Sequence, residues 1–420
     1  MTPEPSALNG ATGRDADSTP RRIVFLAETY HPVLGGGEKH TRSLAKGLAR
    51  LGFAVDVVTR RSSGDLAPLE ADGPVTVHRV GPAGKGRGKK FAMVPEAFRE
   101  TRRLARQSDV LMVGGTRVMA LPARLAVAGT RCQLVLRPEL NGELDGTLAL
   151  WGRESSSVER SLVHVLARTR NLFLGRAGAV VAISQAIAEE AKGFGFPSAK
   201  VHVIPHGIDM SEYAPVPVDQ KVSLRAALRL PADALLITYT GRLIQGKGLQ
   251  TLFAALRSLS DLQKIHLLLV GSGAGQVISI EEALRDDADS DALRGRVSFI
   301  GRVDNVASYL QASDIFVFPT LDEALGMSAV EAQACGLPAV ASRTGGVPDI
   351  IEDGVTGTLV APGDETQLAE ALRALIVDPR LRQRYAEAAR ARTEERFALG
   401  LSVSRYARLF RSITPKAAGR

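Results

Sequence analysis

Short apolar runs alternate with helical stripes along the chain, and the two periods set the elements it predicts. Residues 22–27 (RIVFLA) form a continuous apolar run, the pattern of a strand buried on both faces of a parallel sheet. A loop at 28–35 and a helical pattern at 36–51 follow, with Gly52 as the cap and residues 53–59 as the next strand. Strand-like runs at 75–80, 110–113, 132–136, 179–183 and 201–204 then alternate with helical stretches near 95–107, 117–128, 156–177 and 184–193. Such alternation predicts a doubly wound, mainly parallel α/β sheet.

A polar, proline-rich stretch at 204–219 reads as a hinge or linker. Beyond it a second series begins, with strands at 235–241, 265–271, 297–301, 314–319, 338–342 and 357–362 and late helices at about 364–377 and 380–396. The expected architecture is two Rossmann-like domains facing a cleft, at 21–205 and 206–398, behind a disordered polar leader at 1–20. A last stripe at 402–413 has apolar residues at 403, 406, 409, 410 and 413, a helix able to dock outside its own neighbourhood.

With 420 residues and 45% hydrophobic content, the chain is long enough for two or three cores. No apolar run approaches the 18 or so residues of a membrane span, and the leader lacks the apolar core of a signal peptide, so a cytoplasmic location is expected. Cys132 and Cys335 have neither metal nor disulfide spacing, in keeping with a reducing compartment. The net charge of +8 is uneven: residues 21–205 carry 28 Lys and Arg against 16 Asp and Glu, which places the excess in the first half. Arg99, Arg102, Arg103 and Arg106, near the basic loop 85–90, are expected to face a phosphorylated acceptor or an anionic membrane, the inner face of the plasma membrane, and not nucleic acid.

The chemistry concentrates in 320–342 (TLDEALGMSAVEAQACGLPAVAS), which reads as strand end, loop, buried helix, turn and strand. It carries two carboxylates eight residues apart, Glu323 and Glu331. If helical from about residue 324, the segment would set them about 12 Å apart along the axis. A pair that cleaves a glycosidic bond with water sits within roughly 9.5 Å, so these two are expected to clamp the ends of an elongated ligand. Glu323 would sit at the helix entrance beside the N–H groups of Gly326, Met327 and Ser328, a site for hydroxyls or phosphate.

Gly35, Gly36 and Gly37 lie between the first strand and helix, where backbone without Cβ can approach a phosphate. Neither this loop nor GSGAGQ (271–276) has dinucleotide spacing, which argues against a nicotinamide-dependent oxidoreductase. GRLIQGKG (241–248) matches G-x-x-x-x-G-K but has Gly248 where a P-loop needs Ser or Thr for magnesium. What remains is a pair of cations, Arg242 and Lys247, suited to gripping a diphosphate. DADSD at 287–291 imitates a metal-binding D-x-D but lies in an acidic connector that reads as a solvated loop or helix. His31, His40 and His206 form no ligand pair and read as surface residues near the cleft loops.

In order, GGGEKHTRSLAKGLARLGFAVDVVT, VIPHGID, GRLIQGKGLQTLFAAL and DEALGMSAVEAQACGLPAVAS resemble the retaining, nucleotide-sugar-dependent glycosyltransferases of the GT-B fold, family 4. The resemblance spans most of residues 21–413. It implies an N-terminal acceptor domain, a C-terminal domain for a UDP- or GDP-type sugar donor, and a terminal helix within 399–420 that crosses back. It further implies that Arg242 and Lys247 hold the donor diphosphate, Glu323 the sugar hydroxyls and Glu331 the ribose. Amides around Gly326, Met327 and Ser328 would face sugar and phosphate, and Gly36 and Gly37 would close on the donor. Arg242, Lys247 and Glu323 would carry a front-face transfer needing no cofactor and no magnesium, toward a sugar, polysaccharide precursor, lipid-linked or small-molecule acceptor. The alternative from another class is a GT-B nucleotide-binding or regulatory module that has lost transfer.

Three places depart from the family pattern. Ala324-Leu325-Gly326 stands for Gly-Phe-Gly, His206 for the usual Asn of the linker, and Arg137-Pro138-Glu139 for a strand-end His that contacts the donor sugar. Arg137, Glu139 and Glu143 are the candidates to replace that His.

Overall fold

The computed structural model describes residues 21–33, 35–84, 86–150, 155–262 and 264–414, so the leader and residues 415–420 fall outside the described residues. A first sheet of eight strands is built from β1 (Arg22–Ala27), β2 (Ala54–Arg60), β3 (Leu69–Asp72), β4 (Val75–Val80), β5 (Val110–Gly114), β6 (Gln133–Arg137), β7 (Ala179–Ala182) and β8 (Val201–Val203). Their order is β3-β4-β2-β1-β5-β6-β7-β8, parallel except for the hairpin of β3 with β4. A second, fully parallel sheet contains β9 (Leu235–Thr240), β10 (Ile265–Val270), β11 (Val297–Gly301), β12 (Ile315–Phe318), β13 (Ala339–Ser342) and β14 (Gly357–Val360), in the order β11-β10-β9-β12-β13-β14. Five of the six residues of β1 and all of β12 and β13 are buried, because helices cover both faces of each sheet. The chain thus forms two parallel α/β domains, the architecture expected from its alternating pattern.

The elements that hydrophobic periodicity missed share one property. β3 (LEAD) sits at the sheet edge with every residue exposed or half-buried, and the helix Val218–Ala227, which begins inside the stretch read as linker, buries nothing fully. Without a buried face neither element leaves an apolar stripe. The helix expected from residue 324 begins instead at Met327 and has eight residues, because Ala324 and Leu325 are drawn into the core as loop. Only Glu331 stands on that helix; Glu323 lies four residues ahead of it.

Each sheet reverses its strand order once, at β1 between β2 and β5, and at β9 between β10 and β12. In open α/β sheets the ligand crevice lies outside the carboxyl ends of strands at such a reversal. The candidate residues follow those ends: 35–37 after β1, 137–143 from the end of β6, 241–248 after β9 and 320–328 after β12. Between the sheets the chain crosses near residue 206 and returns near 398. The two crossings are hydrogen-bonded: Ile208 N–H donates to the Phe397 carbonyl at 2.9 Å, and Leu399 N–H to the Ile208 carbonyl at 2.8 Å. The helix Leu399–Ile413 then buries Val403, Tyr406 and Phe410 with Leu44 and Leu48 in the core of the first sheet.

Candidate functional site

One wall of the cleft is built at the end of β9. Tyr239 is fully buried and donates its hydroxyl to the Arg242 carbonyl at 3.1 Å, which fixes the turn while the Arg242 side chain stays exposed. Lys247 Nζ lies 2.7 Å from Glu323 Oε2, with the two side chains 18% and 20% exposed. The two cations are therefore not equivalent. Lys247 is ion-paired, whereas Arg242 has no ion-pair partner among the described residues. Gly248 has φ +67°, and a Cβ there would fall 1.8 Å from the Pro319 carbonyl oxygen. The hydroxyl residue of a P-loop cannot be accommodated.

Glu323 marks the loop ahead of the helix Met327–Ala334, whose first intrahelical bond runs from Ala329 N–H to the Gly326 carbonyl at 2.9 Å. The N–H groups of Met327 and Ser328 precede it and have no acceptor among the described residues, at the positive end of the helix. The glycine-rich turn after β1 approaches this point from the other domain. A Cβ on Gly36 would stand 3.0 Å from Met327 Cγ, so side chains at both positions would collide. Asn141 crosses the same gap, donating to Asp322 Oδ1 at 2.6 Å and to the Glu323 carbonyl at 3.1 Å.

Glu331 sits one turn further along the helix, near the Tyr213 hydroxyl. Lys39, on the helix Gly36–Arg50, donates to Glu212 Oε1 at 2.7 Å and to Tyr213 Oη at 3.2 Å. Burial pushes the Glu331 carboxyl up to about 7, against the pull of Lys39 and Tyr213. Neither Lys39 nor Tyr213 had a sequence signal. Lys39 follows the glycines as an ordinary helix residue, and Tyr213 and Asn141 stand in loops without periodicity.

On the opposite wall Arg137, at the end of β6, is 1% exposed. Its Nε is 2.7 Å from Glu139 Oε1, and its Nη2 donates to Thr41 Oγ1 at 2.6 Å. Glu139 Oε2 lies 3.5 Å from His206 Nε2, and a Cβ on Gly37 would meet the same oxygen at 3.4 Å. His206 and His40 were expected at the surface, but both are buried, with rings stacked 4.0 Å apart. His40 stands on the first helix, and its Nδ1 is 3.2 Å from the Gly207 backbone, so the pair joins that helix to the crossing. Burial, then Arg137, hold the His206 pKa well below its ordinary value; burial, His206 and Arg137 do the same for His40. Glu143 is buried beneath Thr116, whose hydroxyl donates at 2.8 Å, and burial pushes its carboxyl up. It anchors the loop from within, while Glu190 accepts from the N–H groups of Gly142, Leu144 and Asp145.

The remaining candidates are dispersed. Arg102 donates to the carbonyls of Ala126 and Ala128, exposed Arg103 binds Glu100 and Lys90 binds Glu28, so of the four arginines of the expected basic patch Arg99 and Arg106 are exposed with no ion-pair partner among the described residues. Lys85 lies outside the described residues. Asp287 pairs with Arg257, and among the described residues no group of three His, Cys, Asp or Glu is placed to hold a metal ion.

Two family models match the chain in tandem, "Glycosyltransferase Family 4" over residues 34–212 and "Glycosyl transferases group 1" over residues 220–392. A D-inositol 3-phosphate glycosyltransferase of Xylanimonas cellulosilytica is 33% identical over 254 residues, 54% of this chain and 60% of the relative, so the match spans less than two thirds of that protein. Among solved structures, the sucrose-phosphate synthase of Thermosynechococcus elongatus superposes with a TM-score of 0.78 at 24% identity, over 94% of this chain and 99% of that one. Anabaena HepE, in complex with UDP-glucose, superposes with a TM-score of 0.72 at 23% identity, over 93% and 99%. At these identities the structures speak for the fold alone, and the two tandem models carry the assignment. The chain belongs to the group 1, family 4 glycosyltransferases of the GT-B fold.

Proposed function

We propose that the protein transfers a sugar from a UDP- or GDP-type donor to an acceptor, with retention of configuration and without a metal ion. The observation that carries this reading is the Lys247–Glu323 pair just ahead of the helix Met327–Ala334, with exposed Arg242 in the turn after β9 and Gly36 approaching Met327 from the other domain. Lys247 and Glu323 neutralise each other in the unliganded protein, so Arg242 and the helix end supply the field that first meets a diphosphate, and Lys247 joins them as Glu323 turns to the sugar. Glu331, near Tyr213 and Lys39 one turn along the helix, takes the ribose hydroxyls in this reading. The UDP-glucose held by the Anabaena protein supports a donor of this class. In the transfer, the bond from the anomeric carbon to the diphosphate breaks, the acceptor oxygen bonds on the same face, and its proton passes to the departing oxygen. Arg242 and Lys247 neutralise the leaving group as its charge develops, and Glu323 orients the sugar.

A screen of UDP- and GDP-sugars by product mass, run in EDTA, tests the reading. Transfer or slow donor hydrolysis in EDTA is expected. Nucleotide binding without turnover of any donor would instead assign a binding module, and turnover restored only by Mg²⁺ would overturn the metal-free mechanism.

A further inference from the structure

The helix Ser157–Leu174 is packed with its small and polar side inward. Its buried residues are Ala167, Asn171 and Leu174, whereas Val158, Leu162, Val165, Leu166 and Leu172 are between 57% and 75% exposed and Phe173 is 46% exposed. At 3.6 residues per turn these six positions fall within an arc of about 120°, on a helix about 27 Å long. Beside it, on the helix Ala120–Ala126, Leu121 and Leu125 are exposed and the Arg124 guanidinium lies 5.6 Å from the Phe173 ring centroid, which joins the two helices into one apolar surface. Contiguous apolar surface of this kind marks a binding face on a folded protein.

The charges around it select the partner. Arg168, beside this arc, and Arg176, just after the helix, are exposed, whereas Arg160 lies on the opposite side and donates to the Ser155 carbonyl at 2.9 Å; the helix's only acidic residue, Glu159, is engaged in the capping box with Ser156. A second copy of the chain would set these arginine flanks against each other. We infer that this face docks on an anionic phospholipid surface, its leucine, valine and phenylalanine side chains entering the interface and the arginines meeting headgroups. The inward side of the same helix holds the cleft: Arg170 donates to the carbonyls of Glu143 and Leu144 at 2.7 and 3.0 Å, and Asn171 to that of Leu144 at 2.8 Å. These residues belong to the loop from which Asn141 reaches Asp322 and Glu323. Docking therefore sets the cleft beside the bilayer, and, if the transferase reading holds, the acceptor is one carried in that membrane.

Sedimentation of the full chain with phosphatidylglycerol or phosphatidylcholine vesicles tests the docking independently of turnover. Binding to phosphatidylglycerol at low salt is expected, with little to phosphatidylcholine. Leu162→Glu with Leu166→Glu should weaken it about tenfold or more, and Arg176→Glu about fivefold. These side chains lie outside the core, so melting temperature and nucleoside diphosphate binding should be unchanged. Absence of wild-type binding to phosphatidylglycerol, or binding by the double and single variants as tight as that of the wild type, overturns the proposal. So does a wild-type dimer, seen by sedimentation velocity, that the double variant splits while no vesicle binds. Failure of turnover with vesicle binding intact would count against the transferase reading alone.

Discussion

The two walls of the cleft use arginine in opposite ways. Arg242 follows β9 with its guanidinium exposed and unpaired among the described residues, whereas Arg137 follows β6 almost without exposure, held by Glu139 and Thr41. An exposed cation keeps its field available to an incoming anion. A buried one is already neutralised, and its worth lies in the geometry it fixes. The same contrast explains why the basic count of residues 21–205 does not make a basic cleft. Arg42 and Lys46 share Asp72, Arg22 binds Asp56, Arg79 binds Glu70 and Arg103 binds Glu100, so much of that charge is turned into the fold.

Substitution of the two arginines separates the roles. Arg137→Met leaves the Glu139 carboxylate without its main partner and should cost about 3–5 kcal/mol of stability in urea unfolding. Arg242→Met, at an exposed position, should change stability by no more than about 0.5 kcal/mol. Equal stabilities of the two variants would erase the distinction. Activity should show the reverse pattern: Arg242→Ala and Lys247→Ala are expected to lower transfer in EDTA by about two orders of magnitude or more, because both meet charge that develops as the diphosphate departs.

On the wall that carries Arg242, the two glutamates should divide. Glu331→Ala is expected to weaken the bare nucleoside diphosphate by roughly 10- to 150-fold, while Glu323→Ala leaves it nearly intact and depresses transfer. Calorimetry with the diphosphate alone would sink this division if both variants lost equal affinity.

The smallest effects concern pH, and their signs differ across the cleft. The folded pKa values of His40 and His206 lie below the ordinary value, so the unfolded chain takes up protons first and stability falls as pH drops below about 6.5. His206→Asn should flatten that acid limb in thermal melts. Glu331 is shifted upward, so its contribution is full below its ordinary value and lost as pH rises through about 7. Glu331→Gln should therefore raise the stability of the unliganded protein at mildly alkaline pH by on the order of 1 kcal/mol, with no gain at acidic pH.

Strands buried on both faces, such as β1, β12 and β13, were legible because burial forces a continuous apolar run into the sequence. The edge strand β3 and the helix Val218–Ala227, which bury nothing fully, left no such trace. Of the site, Gly36, Arg242, Lys247, Glu323 and Glu331 were legible as motif residues, and the structure gathers them at the ends of β1, β9 and β12. Their partners were not. The Lys247–Glu323 pair joins residues 76 apart, and Asn141 meets Glu323 across 182, so only the folded sheets bring them together. The stacked histidines were read as surface residues for the same reason, since burial of His206 on its loop and of His40 on its helix is set by tertiary contacts that no local pattern records.

The central claim, that Arg242 and the open end of the helix Met327–Ala334 receive a diphosphate without a metal, is tested most directly by calorimetric titration of UDP and GDP in EDTA. The wild-type protein should bind at least one of them, and Arg242→Ala should weaken that binding by roughly 10- to 150-fold. Unchanged affinity in Arg242→Ala, or binding that requires Mg²⁺, would contradict the account.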